Sequence, residues 1–238
     1  MSIRIAMWSG PRNISTAMMR AFENREDTTA VDEPFYACYL HSTGLDHPLG
    51  QGVINSQSTD WSVVAKAMSE QSFDEEIFYQ KHMTHHMLRK IDLSWTRNLH
   101  NCFLIRDPEY VVNSYSKKMH TISQDAIGIK RQFELFTEIS GLTDKELPVI
   151  DAGQFLQSPE EGLRKLCDKL SIPFSARMLS WPKGRRASDG VWASHWYESV
   201  EESTGFQPLT ESKFELTPEQ QAVADESAPY YQALLEKC

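Results

Sequence analysis

The first 25 residues constrain the fold most, because they combine a strand pattern, a tight polar turn and a helix pattern. Apolar residues run from Ile3 to Trp8, residues 9–13 form a small polar turn, and a helical pattern opens at Ser15 and Thr16. The first amides of a helix have no intrahelical partner, and the positive end of its dipole faces the turn. This order predicts an anion site, with a phosphate-bearing ligand as the leading hypothesis.

Two residues of the turn suit a phosphate. Gly10 lets the backbone approach a phosphate closely, and Arg12 adds a permanent charge with a forked set of donors. The turn differs from the usual nucleoside-triphosphate loop, in which a lysine directly precedes the helix hydroxyl. Here Ile14 precedes Ser15. An ordinary strand–turn–helix with a hydroxyl cap is the alternative interpretation.

Length and composition favour a single domain over residues 1–238. With 40% hydrophobic residues, a chain of 238 residues can bury a full core. We expect no membrane partner, because no apolar stretch approaches the roughly 18 residues that span a bilayer. We expect no secretory signal, because Arg4 lies inside the apolar run at the N-terminus and no small-residue cleavage pattern is present. The net charge of −9 argues against a nucleic-acid partner. Four scattered cysteines favour reduced thiols and a cytoplasmic location.

Strand patterns alternate with helix patterns along the chain. This alternation predicts an α/β fold, a three-layer sandwich with a central, mostly parallel β-sheet flanked by helices. Strands are predicted near residues 3–8, 28–31, 76–80, 102–105 and 147–150, and helices from 15, at 59–71, 109–119 and 125–140, and from 159 and 218. Residues 41–58 lack a clear period and predict a long binding loop. Pro229 predicts a kink or a break in the last helix.

Three polar segments directly follow predicted strands, at residues 9–16, 81–86 and 106–114. In open parallel sheets, ligands bind outside the carboxyl ends of the strands. We therefore expect the three segments to converge at one edge of the sheet, and this convergence supports an anion site more strongly than any single segment does.

The third segment contains a second pair of anion-binding groups. Arg106 ends a buried strand, and Ser114 lies eight residues later, two turns into the next helix. With a rise of about 1.5 Å per residue, the arginine and the hydroxyl can meet one phosphate. The alternative is an arginine in a strand-end ion pair, with Pro108 starting a helix by routine preference.

Both anion-binding segments resemble motifs of the P-loop sulfotransferases. Residues 11–16 resemble the family loop Pro-Lys-Ser-Gly-Thr-Thr, which binds the 5′-phosphosulfate of 3′-phosphoadenosine 5′-phosphosulfate (PAPS). Residues 106–114 match the family's 3′-phosphate motif, an arginine, a proline two residues on and a serine eight residues on. Arg12 and Ile14 depart from the family lysine and glycine. The resemblance implies that PAPS contacts Gly10, Pro11, Arg12, Asn13, Ile14, Ser15, Thr16, Arg106 and Ser114.

Two later segments also resemble this family. Residues 155–174 resemble its helix before the C-terminal segment, and residues 184–192 loosely resemble the basic loop that closes on the 3′-phosphate. The resemblance implies that Arg185 and Arg186 contact the cofactor, and a solvated basic loop is the alternative. The blocks are scattered over residues 1–195, and the match looks closest to bacterial members.

The resemblance implies sulfuryl transfer from PAPS to a hydroxyl or amine of an unidentified small-molecule acceptor. Such a reaction needs positive charge at the leaving phosphate and a base for the acceptor proton. Arg12 is expected to supply the positive charge, and Lys81 is expected to be a second cation beside the transferred group. The oligomeric state stays open.

Three histidines near Lys81 are candidate bases, because imidazole titrates near neutral pH. His82 and His86 rank about equally, ahead of Glu33, and His85 is also a candidate. The family spacing of lysine, one residue and histidine would place the histidine at Met83, so the base cannot be carried over directly.

Three alternatives have weaker support. His82 and His86, four residues apart, could hold zinc on a helix, but a third ligand is not evident, and we expect no metal. A P-loop kinase could use the carboxylates of Asp32 and Glu33 for Mg²⁺, but the lysine before Ser15 is missing. A degenerate P-loop protein could bind a nucleotide or a partner without turnover.

Overall fold

The computed structural model describes residues 2–119, 121–208 and 214–238. A single five-stranded sheet runs through the described part of the chain, in the order β2-β3-β1-β4-β5, and every strand pair is parallel. The strands are β1 (Ile3–Ser9), β2 (Thr28–Asp32), β3 (Ile77–Met83), β4 (His100–Ile105) and β5 (Val149–Asp151). The predicted α/β architecture with a parallel sheet is confirmed.

The helices of the described residues cover both faces of this sheet. They are α1 (Ser15–Glu23), α2 (Tyr36–Thr43), α3 (Gly50–Ser56), α4 (Trp61–Glu70), α5 (Pro108–Ser116), α6 (Gln124–Ile127), α7 (Ile129–Ser140), α8 (Ala152–Phe155), α9 (Pro159–Lys169), α10 (Ala193–Trp196), α11 (Glu198–Glu201) and α12 (Pro218–Leu235). Short 3₁₀ turns occupy Thr84–His86, Ser94–Thr96 and Ala176–Leu179.

The central strand β1 is apolar throughout its second half because both of its faces are buried. Successive side chains of a strand point to opposite faces of the sheet. Ala6 and Trp8 accordingly join a hydrophobic cluster with α4, α5, α7 and α12, whereas Ile5 and Met7 join a second cluster with α1 and α9. The sheet is therefore the middle of three layers, and only its edges and strand ends can carry a polar site.

Two sequence predictions of local structure are wrong. Residues 41–58 are not one long loop, because α2 continues to Thr43 and α3 follows, anchored by Val53, which is fully buried. The single helix predicted over 125–140 is two helices, because Gly128 between them adopts a left-handed φ of 67°. The irregular part that remains, residues 44–49, carries His47 towards the sheet edge.

The last helix begins as its sequence predicts. Thr217 and Gln220 form a capping box, in which each side chain accepts a hydrogen bond from the other residue's backbone N–H. Pro229 does not split this helix, which runs unbroken from Pro218 to Leu235.

Gly10 lies in close contact with the backbone at the end of α6. A Cβ atom at this position would lie 2.8 Å from the carbonyl oxygen of Ile127, at the C-terminal end of α6. The missing side chain thus admits the backbone of α6 against the loop after β1. This contact fixes the loop from behind.

We predict that Gly10→Ala lowers the free energy of unfolding by about 1–3 kcal/mol, because backbone must shift to accept the new methyl group. Chemical denaturation followed by circular dichroism measures the change. Gly52→Ala is the matched control: Gly52 is exposed inside α3, with Val191 3.9 Å from the added atom. The control should be neutral or stabilising by up to about 1 kcal/mol. Equal stability of Gly10→Ala and wild type would refute the close contact.

Candidate active site

A cavity of about 270 Å³ opens at the carboxyl ends of the strands. Its walls come from the segments after β1, β2, β3 and β4 and from residues 196–207. The three polar segments predicted to converge do so: the cavity is lined by Pro11, Arg12, Asn13, Ile14, Ser15, Thr16, Lys81, Met83, His85, His86, Arg106 and Ser114. Gly10 does not line it.

Direct hydrogen bonds tie the loop after β1 to the end of β4. Arg12 adopts a left-handed backbone conformation with φ 55°, and its carbonyl oxygen accepts a hydrogen bond of 2.6 Å from the guanidinium of Arg106. Asn13 Nδ2 donates to the carbonyl oxygen of Leu104 at 2.9 Å. Asn13 Oδ1 in turn accepts from the Ile14 backbone N–H at 2.8 Å. The two predicted anion-binding segments therefore form one connected unit.

The side chain of Arg12 reaches the second predicted segment directly, where its Nε donates to Ser114 Oγ at 2.9 Å. Within the described residues, neither Arg12 nor Arg106 has a carboxylate oxygen within 4.0 Å, whereas Arg20, for example, is paired with Asp189. Burial lowers the pKa of Arg12, and burial together with the nearby Arg12 lowers the pKa of Arg106. Two like charges held together favour an anion between them.

The start of α1 is open toward the cavity. No side chain caps this helix, and Ser15 and Thr16 at its first turn line the cavity. Uncapped amides at a helix N-terminus, together with hydroxyl groups, bind anions without a lysine. Ile14, at the position of the family glycine, packs on the hydrophobic cluster between the sheet and α1.

Lys81 lies near the C-terminal end of β3, in the centre of a buried polar cluster. Its ammonium contacts Asp32 Oδ1 at 2.9 Å, Glu33 Oε1 at 2.5 Å and the hydroxyl of Tyr197 at 2.5 Å. An ammonium has three N–H groups, and all three are engaged. Lys81 lines the cavity as expected, but its predicted role as a second cation for the transferred group is not supported by this arrangement, in which it holds two carboxylates.

Tyr197 connects this cluster to the C-terminal part of the chain. Its hydroxyl lies 2.8 Å from Asp32 Oδ2 and accepts a hydrogen bond of 3.1 Å from the indole N–H of Trp192. The backbone N–H of Gly190 also donates to Asp32 Oδ2, at 3.2 Å. We call Lys81, Asp32, Glu33, Tyr197 and Trp192 the clasp. Tyr197 carries no local sequence signal that could have revealed this role.

Of the two carboxylates in the clasp, Glu33 lines the cavity and Asp32 does not. Its Oε1 accepts from Lys81 and lies 3.3 Å from the Tyr197 hydroxyl oxygen, while Oε2 accepts no hydrogen bond from the described residues. Burial raises the pKa of Glu33, Lys81 opposes that rise, and Asp32 adds to it. The backbone of Glu33 is held at a strained φ of 42°. These features aim an acid of raised pKa at the cavity.

His82 is not part of the site. It is 1% exposed, its ring stacks on Trp8 with 4.4 Å between centroids, and its Nε2 lies 3.0 Å from Gln80 Oε1. The reason is strand alternation, which sends Lys81 and Met83 to the cavity and His82 to the opposite face of the sheet. This position does not fit the expectation that His82 acts as a base. It also does not fit the alternative in which His82 and His86 hold zinc on one helix.

His85 and His86 do line the cavity, together with His47, which the sequence analysis missed. His86 stacks on Tyr36 with 4.3 Å between ring centroids, and His47 Nδ1 lies 2.9 Å from the Tyr36 hydroxyl. Burial lowers the pKa of His85 to about 3 and lowers the pKa of His86 well below its ordinary value. All three imidazoles are therefore neutral at pH 7, because burial lowers the pKa of His47 as well.

Arg185 and Arg186 do not contact the cavity, contrary to expectation. Arg186 donates to the carbonyl oxygen of Pro182 at 2.6 Å, and Arg185 Nε lies 3.8 Å from Glu201. Another residue of the same loop anchors it, since Asp189 forms hydrogen bonds of 2.6 and 2.7 Å with Arg20 on α1. This ion pair turns the two arginines away from the site.

No group of three or more histidine, cysteine, aspartate or glutamate side chains is arranged to hold a metal ion among residues 2–119, 121–208 and 214–238. None of the helices described combines the length and the apolar character that crossing a membrane requires.

We predict that Lys81→Met destabilises the protein by about 3–5 kcal/mol, because it leaves two buried carboxylates without their cation. The folded variant then binds protons more tightly than the unfolded chain, so the loss should shrink as the pH falls from 8 to 5. Urea unfolding at both pH values measures it. Lys66→Met, which removes an exposed lysine on α4, should change stability by less than about 0.5 kcal/mol. A loss that does not depend on pH would contradict the clasp.

Comparison with known proteins agrees with the fold. The family model described as Sulfotransferase domain matches residues 3–237. Two curated relatives from Arabidopsis thaliana, named branched-chain-amino-acid aminotransferase-like proteins 1 and 2, are 37% and 33% identical over 202 residues. The match covers 85% of this chain but 36% of each relative, so the chain spans about a third of their length.

Solved structures with the same fold include three sulfotransferases. The sulfotransferase domain from the curacin biosynthetic pathway has a TM-score of 0.56 at 14% identity, covering 96% of this chain and 98% of that one. A sulfotransferase from Alicyclobacillus acidocaldarius has a TM-score of 0.57 at 9% identity, covering 99% and 96%. Mouse sulfotransferase SULT7A1, complexed with PAP, has a TM-score of 0.52 at 13% identity, covering 99% and 89%.

These structural likenesses establish the fold, and the family model extends over nearly the whole chain. The chain belongs to the sulfotransferase family.

Proposed function

We propose that this sulfotransferase takes its sulfuryl group from PAPS and transfers it to a hydroxyl or amine of a small molecule. One observation carries the proposal: Arg12 and Arg106 meet at the cavity with no carboxylate partner among the described residues. An anion with two phosphate groups neutralises both. The mouse neighbour, solved with PAP, is consistent with such a ligand.

The residues present fit a ligand with phosphates at both ends of an adenosine. The uncapped start of α1, with Ser15 and Thr16, suits the 5′-phosphosulfate. Arg106 and Ser114 suit the 3′-phosphate, and Arg12 lies between the two sets, bonded to both of these residues. PAPS supplies the sulfuryl group and the leaving phosphate, while these side chains and amides orient it and stabilise the negative charge of the leaving group.

Glu33 is the residue best suited to accept the acceptor proton. A general base works best when its pKa lies near the working pH. Burial moves the pKa of Glu33 upward, toward neutrality, whereas it moves the pKa values of His85 and His86 away from neutrality. As the acceptor atom forms its bond to sulfur, its proton passes to Glu33 and the bond from sulfur to the 5′-phosphate oxygen breaks, leaving PAP.

In this arrangement, the two carboxylates that a P-loop kinase would need for Mg²⁺ are already engaged. Asp32 and Glu33 are both bonded to Lys81 and Tyr197, so Mg²⁺ would have to displace a buried ammonium to reach them. A cytoplasmic location is part of our proposal and is supported by three unpaired, buried cysteines, Cys38, Cys102 and Cys167.

We predict that PAP raises the apparent Tm selectively, whereas adenosine 5′-phosphate and Mg-ATP have weaker effects. A ligand at 100 times its Kd adds about 2.7 kcal/mol to stability, enough for a shift of several degrees. Arg106→Ala should abolish the preference for PAP over adenosine 5′-phosphate, because it removes the 3′-phosphate partner. Arg164→Ala, in an exposed pair on α9, should retain that preference. Retention of the preference in Arg106→Ala, or a shift with Mg-ATP alone, would contradict the proposal.

We predict that Glu33→Gln lowers kcat by about 10²- to 10⁴-fold, the usual contribution of a general base. In the wild-type enzyme, kcat should fall as the pH drops through the pKa of Glu33, which lies above the ordinary glutamate value. Steady-state sulfate transfer measured between pH 5 and 9 tests both points. His86→Gln serves as the comparison. A larger loss of kcat in His86→Gln than in Glu33→Gln would assign the base to the histidine.

A further inference from the structure

The strand order divides the cavity into two sides of opposite character. The loops after β1 and β4 carry Arg12 and Arg106, and we call this the nucleotide side. The segments after β2 and β3, which lie beyond β1 in the sheet, form the acceptor side. Its lining residues are Glu33, Tyr36, His47, Lys81, His85, His86 and Trp196.

The acceptor side has more negative than positive groups. Asp32 and Glu33 face one cation, Lys81, and the three N–H groups of that cation are already used within the clasp. The three histidines on this side are neutral because burial lowers their pKa values. An anionic acceptor would therefore meet a carboxylate and no available cation among the described residues of this side.

The other groups on the acceptor side favour a donor-rich, positively charged ligand. The rings of Tyr36 and Trp196 line it, and aromatic faces attract cations. Glu33 Oε2, which accepts no hydrogen bond from the described residues, is an acceptor that an ammonium can satisfy.

We propose that the sulfate acceptor is a primary amine that enters as an ammonium ion and pairs with Glu33. This inference rests on the proposed function, because it places the acceptor opposite the phosphate anchors. Pairing and deprotonation use the same carboxylate, so the group that binds Glu33 is the group that reacts. If the positive charge and the nucleophilic atom of the acceptor belonged to separate groups, Glu33 would pair with the charge and a second base would have to take the proton.

The proposed step balances as follows. Glu33 takes one proton from the ammonium and frees the nitrogen lone pair, which forms the N–S bond. The bond from sulfur to the 5′-phosphate oxygen breaks, and its electron pair stays on that oxygen of PAP. The nitrogen then loses a second proton to water, which leaves a sulfamate. Glu33 returns its proton to solvent before the next turnover.

Three probes of one shape and different charge test this inference. Phenethylamine, 2-phenylethanol and 3-phenylpropanoate present an ammonium, a hydroxyl and a carboxylate on similar phenylalkyl frames. Binding is measured at pH 7 by tryptophan fluorescence, with and without saturating PAP. We expect the Kd of the amine to be at least tenfold lower than that of either other probe, a difference of about 1.4 kcal/mol. Incubation with labelled PAPS should yield the sulfamate.

Two variants separate a specific ion pair from a general effect of charge. Glu33→Gln should reduce the preference for the amine to less than threefold. Glu198→Gln, which changes a carboxylate with an 81% exposed side chain on α11, should retain the tenfold preference. Equal affinities for amine and alcohol, tighter binding of the carboxylate, or no binding of any probe would overturn the inference. If PAP fails to bind while the amine preference holds, the proposed PAPS dependence falls and the amine site stands.

Discussion

Two guanidinium groups that lack a carboxylate partner are the constraint on which this site depends. In a chain with a net charge of −9, the described residues around Arg12 and Arg106 keep acidic groups more than 4.0 Å away from both. Arg106 contacts the carbonyl oxygen of a residue held at φ 55°, so the turn after β1 keeps its shape through a bond to the end of β4. The anionic ligand that we propose would relieve the mutual repulsion of the two cations.

On the other side of β1, the clasp holds two buried carboxylates around one cation. Burying Lys81 with Asp32 and Glu33 removes three charges from water, which seldom stabilises a fold compared with apolar packing. Its value lies in position: the ammonium holds one oxygen of Glu33, and the other oxygen accepts no hydrogen bond from the described residues. The Tyr197 hydroxyl connects Asp32 at the end of β2 and Lys81 in β3 to Trp192. Loss of any member would therefore disturb both the carboxylate and the wall of the cavity.

Short-range patterns predicted the sheet, the two anion-binding segments and their convergence, because strand alternation and helix starts are set by neighbours in sequence. Strand alternation could also have excluded His82, since Lys81 and Met83 must share a face and His82 must lie on the other. No pattern could have revealed Tyr197, which meets Lys81 across 116 residues of sequence. Arg185 and Arg186 were misplaced for a similar reason: Asp189 in the same loop is bonded to Arg20 on α1, 169 residues away.

The choice of Glu33 over a histidine follows from what burial does to acids and bases. Removing water disfavours the charged form of either group, so the same cavity wall raises the pKa of a carboxyl and lowers that of an imidazole. A deeply buried histidine beside Lys81 accepts a proton reluctantly, and it becomes a neutral hydrogen-bond acceptor instead. Burial raises the pKa of Glu33 in the same surroundings, and Lys81 opposes that rise. The same cavity wall accounts for both the base and the ligand charge that we propose, because the carboxylate that can take a proton is also the group that an ammonium pairs with.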